Sequence, residues 1–497
     1  MRDLNEQQEL RLEKSGRLRQ NGIDPYPRRS RRTHATREVV DSLDDLAAAG
    51  QEVIVVGRLR ARRDMGRTVF ADIEDGTGRI QLLCRANTLG AEGLEFLKSD
   101  LDLGDIVEVR GVPMRTRTGE PSVDVREVRL LAKSLNPLPD KWHGLEDVET
   151  RYRQRYVDLM VNPEVRDVFL RRARIISEMR RYLDDRGFVE VETPVLQPIY
   201  GGAAARAFTT YHNALDQTLY LRIATELYLK RLLVGGIERV YEIGKDFRNE
   251  GTSTKHSPEF TMMELYQAYA DYSDIMVLVE NLVCTLAQQV NGSAQVRFRG
   301  QEIDLTPPWS RVPLRDAILQ HTGVDYEAYP ETESLAAAVR EAGIETRPGA
   351  TRAELIDELL DNTEPRLIQP VFLIDYPVEL SPFAKRKPDN PSVTERFEFF
   401  IGGIEVGNAF TELNDPVDQD ERFREQVAER EAGNEETSQY DEDYVNALMY
   451  GMPPTGGLGI GIDRLVMVLT DSPSIRDVIL FPHMRARHRL VGQLSCS

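Results

Sequence analysis

Short alternating apolar runs between residues 51 and 135 constrain the fold of this chain more than any other sequence feature. In the first two runs the apolar residues alternate with others, at Val53, Val55, Leu59, Val69, Ala71 and Ile73. The turn sequence DGTG at Asp75–Gly78 precedes a third run, with Ile80, Leu82 and Cys84. This period-two pattern, interrupted by a tight turn that contains glycine, predicts half-buried β-strands joined by hairpins.

Two further runs, Asp105–Val112 and Ser122–Leu130, complete the pattern and are separated by the turn sequence TRTGE. Five short strands in one small domain suggest a closed barrel, and the OB-fold is the usual five-stranded solution. We therefore predict an OB-fold over residues 41–135. The preceding residues 1–40 are predicted to form a helix and a basic arm.

A different pattern follows the proline-rich segment NPLPDKWHG (Asn136–Gly144), which predicts a domain boundary. Apolar residues between Val165 and Leu183 recur at helical spacing until Gly187, a natural C-terminal cap. Strand-like runs come next, at Phe188–Leu196, Leu219–Ile223, Arg239–Ile243, Glu259–Leu265, Phe397–Ile401 and Leu458–Ile462. Because helices and strands do not alternate regularly, we expect an α+β domain built on an antiparallel sheet flanked by helices.

The predicted domain boundaries follow from these patterns. They give a helix and arm at 1–40, a barrel at 41–135, a linker at 136–150 and an α+β domain at 151–497. A helical insertion is expected around residues 310–365.

Composition narrows the class of protein. With 41% hydrophobic and 29% charged residues, the chain has the balance of a globular protein. Its net charge of −19 argues against a protein that coats nucleic acid, although a local basic face remains compatible with it. Apolar runs are too short for a membrane span, and the charged N-terminus lacks the apolar stretch of a signal peptide. The three cysteines lie far apart without metal-site spacing, so we expect a soluble cytoplasmic protein without a disulfide scaffold.

Three segments of the α+β domain carry charge that packing alone does not explain. The first, Phe247–Tyr269, places Arg248 and several carboxylates around a turn, and arginine is suited to clamp a phosphate. The second, Arg396–Asp415, holds Glu398 and Glu405 on either side of an apolar run and a glycine pair. Two nearby carboxylates, with phosphates in the site, are a reasonable seat for Mg²⁺.

The third segment is Gly456–Thr470, with the sequence GGLGIGIDRLVMVLT. Its glycines remove side chains from a strand and permit close approach of a ligand to the backbone. Asp463 and Arg464 then begin an apolar helix. A tightly packed corner between strand and helix is the alternative interpretation of this segment.

Together these motifs resemble the class II aminoacyl-tRNA synthetases. FRNEG with HSPEF is similar to their second signature, GIDR after a glycine-rich strand to their third, and the helix before Gly187 to their first. The class I signatures HIGH and KMSKS are absent. Among class II enzymes, GIDPYP, GGAAARAF, TELYLKRLLVGG, EFTMMELYQAYADY and FTELNDP resemble the bacterial lysyl-tRNA synthetase family.

The resemblance implies activation of L-lysine with ATP and transfer of lysine to tRNA(Lys), with Mg²⁺ as cofactor. The implied catalytic residues are Arg248 and Arg464, and Arg464 is expected to sandwich the adenine with Phe260. The implied ATP-binding set is Arg248, Glu250, His256, Phe260, Glu398, Glu405 and Arg464. Within it, Glu398 and Glu405 are the implied metal ligands.

The implied lysine-binding set is Gly202, Glu226, Glu264, Tyr266, Asn408, Phe410 and Glu412. Gly202 and Glu226 match residues that hold the α-amino group, and Glu412 is expected to bind the ε-ammonium. A buried carboxylate is penalised heavily when its cation is missing, so this pocket would reject substrates without a terminal amine.

For the barrel, the resemblance implies anticodon contacts from Arg63, Phe70, Gln81 and Glu120. Phe70 is suited to stack an unpaired base. A local basic face is expected from the arginines within Arg58–Arg63 and Arg28–Arg32, together with Arg67. The first signature implies a homodimer.

The sequence departs from the family pattern at Thr225, Ala409 and Phe383, which puts fine substrate preference in question. The tail 487–497 has no interpretation. Three alternatives remain open: a lysine ligase that acts on a protein acceptor, an aspartate- or asparagine-specific synthetase, and a non-catalytic tRNA-binding protein derived from a synthetase.

Overall fold

A computed structural model of the chain describes residues 4–139, 145, 147–431 and 437–485. They divide into two compact units, Met1–Gly144 and Leu145–Ser497. The finer boundaries at 40, 135 and 150 stay predictions, and the tail 487–497 lies outside the described residues.

The first unit contains a closed five-stranded barrel, as the alternating sequence predicts. The strand order is β1-β2-β3-β5-β4, and pairing of β1 with β4 closes it. Its strands are β1 (Val53–Asp64), β2 (Thr68–Glu74), β3 (Arg79–Arg85), β4 (Ile106–Arg115) and β5 (Pro121–Ala132). Its helices are α1 (Glu6–Gln20), α2 (Thr36–Asp41), α3 (Leu43–Ala48) and α4 (Gly90–Ser99).

The basic arm is docked on the barrel by ion pairs. Arg31 Nε lies 2.7 Å from Glu108 Oε1, and Arg32 Nη2 lies 2.5 Å from Asp75 Oδ2. In β1, Arg58 Nη1 donates to the Gly104 carbonyl at 2.7 Å, so this guanidinium also serves the fold. The expected basic face is therefore smaller than the count of arginines suggests.

The second unit is built on an eight-stranded sheet, confirming the α+β prediction. Its order is β14-β15-β16-β17-β18-β11-β10-β6, and the run from β15 to β10 is antiparallel throughout. Its strands are β6 (Val189–Glu190), β10 (Arg239–Phe247), β11 (Glu259–Ala268), β14 (Ser310–Pro313), β15 (Val371–Ile374), β16 (Arg396–Ile401), β17 (Ile404–Thr411) and β18 (Thr455–Gly461). Two smaller sheets hold β7 (Leu196–Gln197), β8 (Thr209–His212), β9 (Gln217–Leu221), β12 (Gln295–Phe298) and β13 (Gln301–Asp304).

Helices pack against this sheet and form its main core. Ile175, Val279 and Leu465, from three different helices, belong to one buried cluster together with Leu265 and Ile460 of the sheet. The helices are α5 (Val148–Arg153), α6 (Arg155–Val161), α7 (Pro163–Asp184), α8 (Glu226–Val234), α9 (Tyr272–Asn291), α10 (Leu314–Thr322), α11 (Thr332–Glu341), α12 (Arg352–Thr363), α13 (Pro416–Glu431), α14 (Glu442–Met449), α15 (Ile462–Thr470) and α16 (Ile475–Val478). In the part of the chain that the structure describes, no helix is long and apolar enough to cross a membrane.

The strand predicted over Phe188–Leu196 is wrong for most of its length. Only β6 pairs with the large sheet, through two residues, and β7 begins at Leu196. Pro194 lacks a backbone donor and interrupts any continuous ladder. The long helix before it is confirmed, but α7 ends at Asp184, and Gly187 with a φ of +77° lies in the turn that follows.

Lys133, in the first unit, gives a test of that unit's stability. Its side chain is fully buried, and its Nζ lies 2.6 Å from Asp102 Oδ2 and 2.8 Å from Asp105 Oδ2. Lys133→Met should lower the free energy of unfolding of the unit by about 3 kcal/mol or more, because it leaves a buried carboxylate without its cation. Urea unfolding followed by circular dichroism measures the loss. Lys98→Met, which breaks a more exposed pair with Asp64, is the control and should unfold almost like the unchanged protein.

Candidate active site

A cavity of about 380 Å³ lies on one face of the large sheet in the second unit. All fourteen predicted ATP-binding and lysine-binding residues line it, although they come from distant parts of the sequence. They are Gly202, Glu226, Arg248, Glu250, His256, Phe260, Glu264, Tyr266, Glu398, Glu405, Asn408, Phe410, Glu412 and Arg464. The structure thus brings the predicted set together, while the role of each member stays a prediction.

The period of the β-strand explains why these side chains share one face. Tyr266 of β11 and Phe410 of β17 both pair with Gly457 of β18, and Glu264 and Asn408 both pair with Gly459. Since alternate residues of a strand point to the same face, these four side chains flank the glycines on both sides. The glycine-rich strand is therefore the floor of the cavity.

The glycines make room for neighbouring side chains of the protein. A methyl group at Gly457 would overlap Glu412 Oε1 and lie 2.6 Å from the Tyr266 ring. At Gly202, where φ is +88°, it would lie 3.1 Å from Glu226 Cβ. For the glycines of Gly456–Thr470 the sequence predicts close approach of a ligand, and at Gly457 it is the protein's own carboxylate and ring that approach.

One end of the cavity concentrates buried carboxylates. Glu226, Glu264 and Glu412 are each at most 6% exposed. Burial, together with the negative charges of Asp246 and Glu226, raises the pKa of Glu264 to about 8. Burial also raises the pKa of Glu412 well above its ordinary value, although the nearby Lys230 ammonium opposes the rise.

Lys230 lies among these carboxylates and was not predicted as a site residue. It is fully buried on α8, and its Nζ forms ion pairs with Glu226 Oε1 and Glu412 Oε2. The signal in the sequence is the spacing of four between Glu226 and Lys230, which puts both on one helix face. A single lysine on an apolar helix is usually interpreted as an exposed residue, so the sequence alone does not indicate that Lys230 is buried.

Neutral donors support the same carboxylates. Tyr266 Oη donates to Glu264 Oε2 at 3.2 Å, and the backbone N–H of Thr225 donates to Glu264 Oε1 at 3.3 Å. Of the residues that depart from the family pattern, Phe383 lines the cavity with its ring centroid 5.1 Å from Lys230 Nζ. Ala409 faces the opposite side, in the main core.

The other end of the cavity pairs carboxylates with arginines. Arg464 Nη1 lies 2.7 Å from Glu405 Oε2, and Arg396 Nη2 lies 2.6 Å from Glu398 Oε1. Burial raises the pKa of Glu398 to about 7. For Glu405 burial acts in the same direction, but the Arg464 guanidinium outweighs it and the pKa is lowered. Arg396 was not predicted as a site residue either, although it lies two residues before Glu398 on the same strand.

His256 and Arg248 complete this end. Burial and the neighbouring Arg464 and Lys255 lower the pKa of His256, whose Nε2 accepts from Arg464 Nη2 at 3.2 Å. Arg248 lies over the Phe260 ring at 5.1 Å, a cation–π contact. Arg248 is thus the arginine that stacks on Phe260, and the adenine sandwich of Phe260 with Arg464 stays a prediction.

Glu398 and Glu405 are suited to bind a magnesium ion whose remaining ligands are phosphate oxygens and water. Both line the cavity, and the negative charge of Glu405 contributes to the raised pKa of Glu398, as expected for neighbouring carboxylates. Among the described residues there is no cluster of three or more potential metal ligands. Mg²⁺ suits such a site, because it is usually held by one or two carboxylates, phosphates and water.

The barrel brings together its own predicted set. Arg63 of β1 pairs directly with Phe70 of β2. Gln81 of β3 pairs with Asp72, two residues further along β2, and accepts from Ser122 Oγ at 3.0 Å. Glu120 lies in the turn before β5, two residues before Ser122. Phe70 and Gln81 are half-buried and Arg63 and Glu120 are exposed, so this set forms an accessible surface on the barrel.

Comparison with known proteins agrees with both units. Residues 147–485 match the family model described as tRNA synthetases class II (D, K and N), and residues 53–131 match the OB-fold nucleic acid binding domain. The chain is 58% identical to the lysine–tRNA ligase of Roseiflexus sp. strain RS-1, over 98% of this chain and 100% of that protein. It is 56% identical to the lysine–tRNA ligase of Chloroflexus aurantiacus, over 98% of this chain and 99% of that protein. For the lysine–tRNA ligase of Bacillus subtilis the identity is 52%, over 98% of each chain.

The floor of the cavity can be tested by adding a methyl group. Gly457→Ala should destabilise the protein by about 1–3 kcal/mol, because the new Cβ overlaps the Glu412 carboxylate and the Tyr266 ring. On the same strand, Gly461→Ala is the matched control, since its Cβ would meet its nearest atom at an ordinary 3.5 Å. Chemical unfolding of both variants measures the difference. Equal stability of the two would contradict the packing described here.

Proposed function

This chain belongs to the family described as tRNA synthetases class II (D, K and N). From this premise we propose that it is a ligase that activates L-lysine with ATP and transfers it to tRNA(Lys). The observation that carries the choice of lysine is the buried acidic end of the cavity, with Glu226, Glu264 and Glu412. Such a site binds a substrate with two ammonium groups and penalises one that leaves a buried carboxylate unpaired.

The substrate lies with its two ammonium groups at this end. Glu226, next to Gly202, binds the α-ammonium, and Glu412 binds the ε-ammonium, with Glu264, Tyr266, Asn408 and Phe410 around the side chain. Aspartate would bring a second carboxyl group beside Glu412, and asparagine would bring no substrate cation to it, leaving Lys230 as its ionic partner. The acidic end therefore favours lysine over the other two amino acids of this family.

The lysine carboxylate then faces the cationic end. One of its oxygens attacks the α-phosphorus of ATP, an O–P bond forms, and the bond to the departing pyrophosphate breaks. Arg248 binds the carboxylate and the α-phosphate, and Arg464 with Phe260 binds the adenine. A cation fixed before the reaction stabilises the charge that develops in the transition state.

The nucleotide is held by Glu250 and His256 as well, and Glu398 and Glu405 hold Mg²⁺. When bound, Mg²⁺ neutralises phosphate charge and favours departure of pyrophosphate. The position of both carboxylates in the lining of one cavity supports this assignment. Arg396 and Arg464 keep the two carboxylates oriented before the ion and ATP bind.

The tRNA is recognised through the barrel. Phe70 stacks an anticodon base, while Arg63, Gln81 and Glu120 contact base edges. Stacking on an exposed aromatic ring contributes about 1–3 kcal/mol for each base. The barrel also argues against a ligase that acts on a protein acceptor, because such an enzyme has no use for an anticodon-binding surface.

We further propose that the protein is a homodimer and acts in the cytoplasm, where tRNA is charged. Exposed apolar side chains support the dimer: Leu170 on α7 is 62% exposed, and Val189 and Leu196 on β6 and β7 are about half exposed. Large apolar side chains that stay exposed are what an interaction surface would cover.

Exchange of pyrophosphate into ATP tests the proposal directly. With Mg²⁺ and no tRNA, lysine should support exchange, and aspartate, asparagine and ornithine should not support it at comparable concentration. Exchange with aspartate or asparagine would show that the pocket is wrongly assigned. Its absence with every amino acid, from folded protein, would favour a non-catalytic synthetase-derived protein.

Glu412 provides the sharpest test of substrate choice. Glu412→Gln should raise the KM for lysine in pyrophosphate exchange by about 10²-fold, because the ε-ammonium loses its buried counter-charge. The KM for ATP should change little. Glu421→Gln, an exposed glutamate on α13, is the control and should leave both values unchanged. A parallel rise in both KM values would instead indicate a general disturbance of the cavity.

Binding of lysine should release a proton. The pKa of Glu264 is about 8 in the ligand-free cavity, so below that pH the carboxyl is largely protonated, and an incoming ammonium favours its ionised form. The KM for lysine should therefore fall as the pH rises from 6 to about 8, and flatten above. Steady-state kinetics at each pH measures the slope. Glu264→Gln should reduce it, and an unchanged slope in that variant would assign the proton to another group.

A further inference from the structure

We propose that Lys230 is a positioning residue for the amino-acid substrate: its ammonium is the shared counter-ion that favours ionisation of Glu226 and Glu412, the carboxylates of the α-ammonium and ε-ammonium subsites, and holds them in place. The proposal rests on the proposed function and goes beyond it, because Lys230 itself binds neither lysine nor ATP.

The contacts of Lys230 join two elements that are distant in sequence. Glu226 lies one turn earlier on α8, while Glu412 follows β17 and is anchored by its N–H to the Thr455 carbonyl at 2.8 Å. A single ammonium therefore determines the distance between the carboxylates of two subsites. That distance must match the spacing of the two ammonium groups of the substrate.

The surroundings of Lys230 prevent it from acting as an ordinary solvated lysine. Its side chain is fully buried, and its Nζ lies 5.1 Å from the ring centroid of Phe383, 5.2 Å from Phe410 and 5.8 Å from Tyr266. Rings in these positions stabilise a cation but give it no hydrogen bonds of the strength that water does. The two carboxylates thus provide its ionic partners, and it remains paired with them.

The balance of charge explains why a cation is needed. The ionisable groups that act on these carboxylates are the carboxylates themselves (Glu226, Glu264 and Glu412), Asp246, Lys230 and the phenols of Tyr266 and Tyr444, with Arg396 acting on Glu226 from further away. Without Lys230, three buried carboxyl groups would repel one another, and they would stay protonated rather than ionise together. A protonated carboxyl group is a poor partner for a substrate ammonium.

Lys230 leaves an acceptor open for the substrate. It forms an ion pair with Glu412 through Oε2, and neither oxygen of this carboxylate has a hydrogen-bond partner among the described residues. An unpaired, buried carboxylate oxygen costs free energy until a donor reaches it. The ε-ammonium of lysine is the donor that the proposed function supplies.

Lys230→Met tests the proposal, because methionine keeps most of the volume and removes the charge. In lysine-dependent pyrophosphate exchange, we expect the KM for lysine to rise about tenfold or more, since each unit of pKa that the carboxylates gain costs a factor of ten in their ionised fraction. The KM for ATP should stay within about twofold of the unchanged protein. The KM for lysine should also fall more steeply with pH between 6 and 8, because substrate binding must now displace an additional proton.

Lys133→Met is the matched control. It also removes a fully buried lysine that bridges two carboxylates, but in the barrel unit. It should lower stability and leave the KM for lysine and its pH dependence unchanged. Lys230→Arg, which keeps the charge, should retain the pH slope of the unchanged protein. If Lys230→Met does not fold, Lys230→Gln replaces it with the same expected KM shift, since its amide still donates hydrogen bonds but carries no charge.

The outcomes separate the two proposals. Absence of exchange with lysine in the unchanged protein contradicts the proposed function. Normal exchange in the unchanged protein, with an unaltered KM for lysine and unaltered pH slope in a folded Lys230→Met or Lys230→Gln variant, overturns the role of Lys230 alone. Loss of stability without a change in either KM would show that Lys230 only ties α8 to the sheet.

Discussion

Several carboxylates share a cavity with little access to water, and much of the architecture around it serves to make that arrangement stable. A buried carboxylate that has no cation or donor beside it costs several kcal/mol, so each one requires a partner. At one end of the cavity Lys230 pairs with Glu226 and Glu412, and at the other Arg396 and Arg464 pair with Glu398 and Glu405. The strands β11, β16, β17 and β18 provide the rigid floor and walls from which most of these groups project.

The protein's own ion pairs hold the charged groups of the cavity in fixed positions. Its charges are already paired with one another, so binding of lysine and ATP exchanges partners and requires no separation of bare charges. Groups held in advance do not have to reorganise during the reaction, which is the main source of electrostatic catalysis. The pKa values of two of these carboxylates depend on whether a cation is adjacent. Burial and neighbouring negative charges raise the pKa of Glu264, whereas the Arg464 guanidinium lowers the pKa of Glu405.

Much of this could be predicted from the sequence, for identifiable physical reasons. Strand β2 alternates strictly, as in Val69, Ala71 and Ile73, because one face of it is buried and the other is not. The predicted ATP-binding and lysine-binding residues lie in short sequence motifs, and all fourteen line one cavity.

Other features could not be predicted from the sequence, for equally specific reasons. Lys230 lies on an apolar helix, and its burial depends on Glu412, far away in sequence. The Phe188–Leu196 segment has the composition of a strand, but pairing partners, which sequence alone does not reveal, are available to only a few of its residues.

The contact between Gly457 and Glu412 also bears on how the two ammonium subsites depend on each other. Gly457 has no side chain because Glu412 and Tyr266 occupy the space above it, and Glu412 is in turn balanced by Lys230. Replacing Glu412 alone would leave Lys230 with Glu226 as its remaining ionic partner, and replacing Lys230 alone would leave both carboxylates without their shared cation. A change of charge at Glu412 is therefore felt at Glu226 as well, so the two ammonium subsites are electrostatically coupled through one buried side chain.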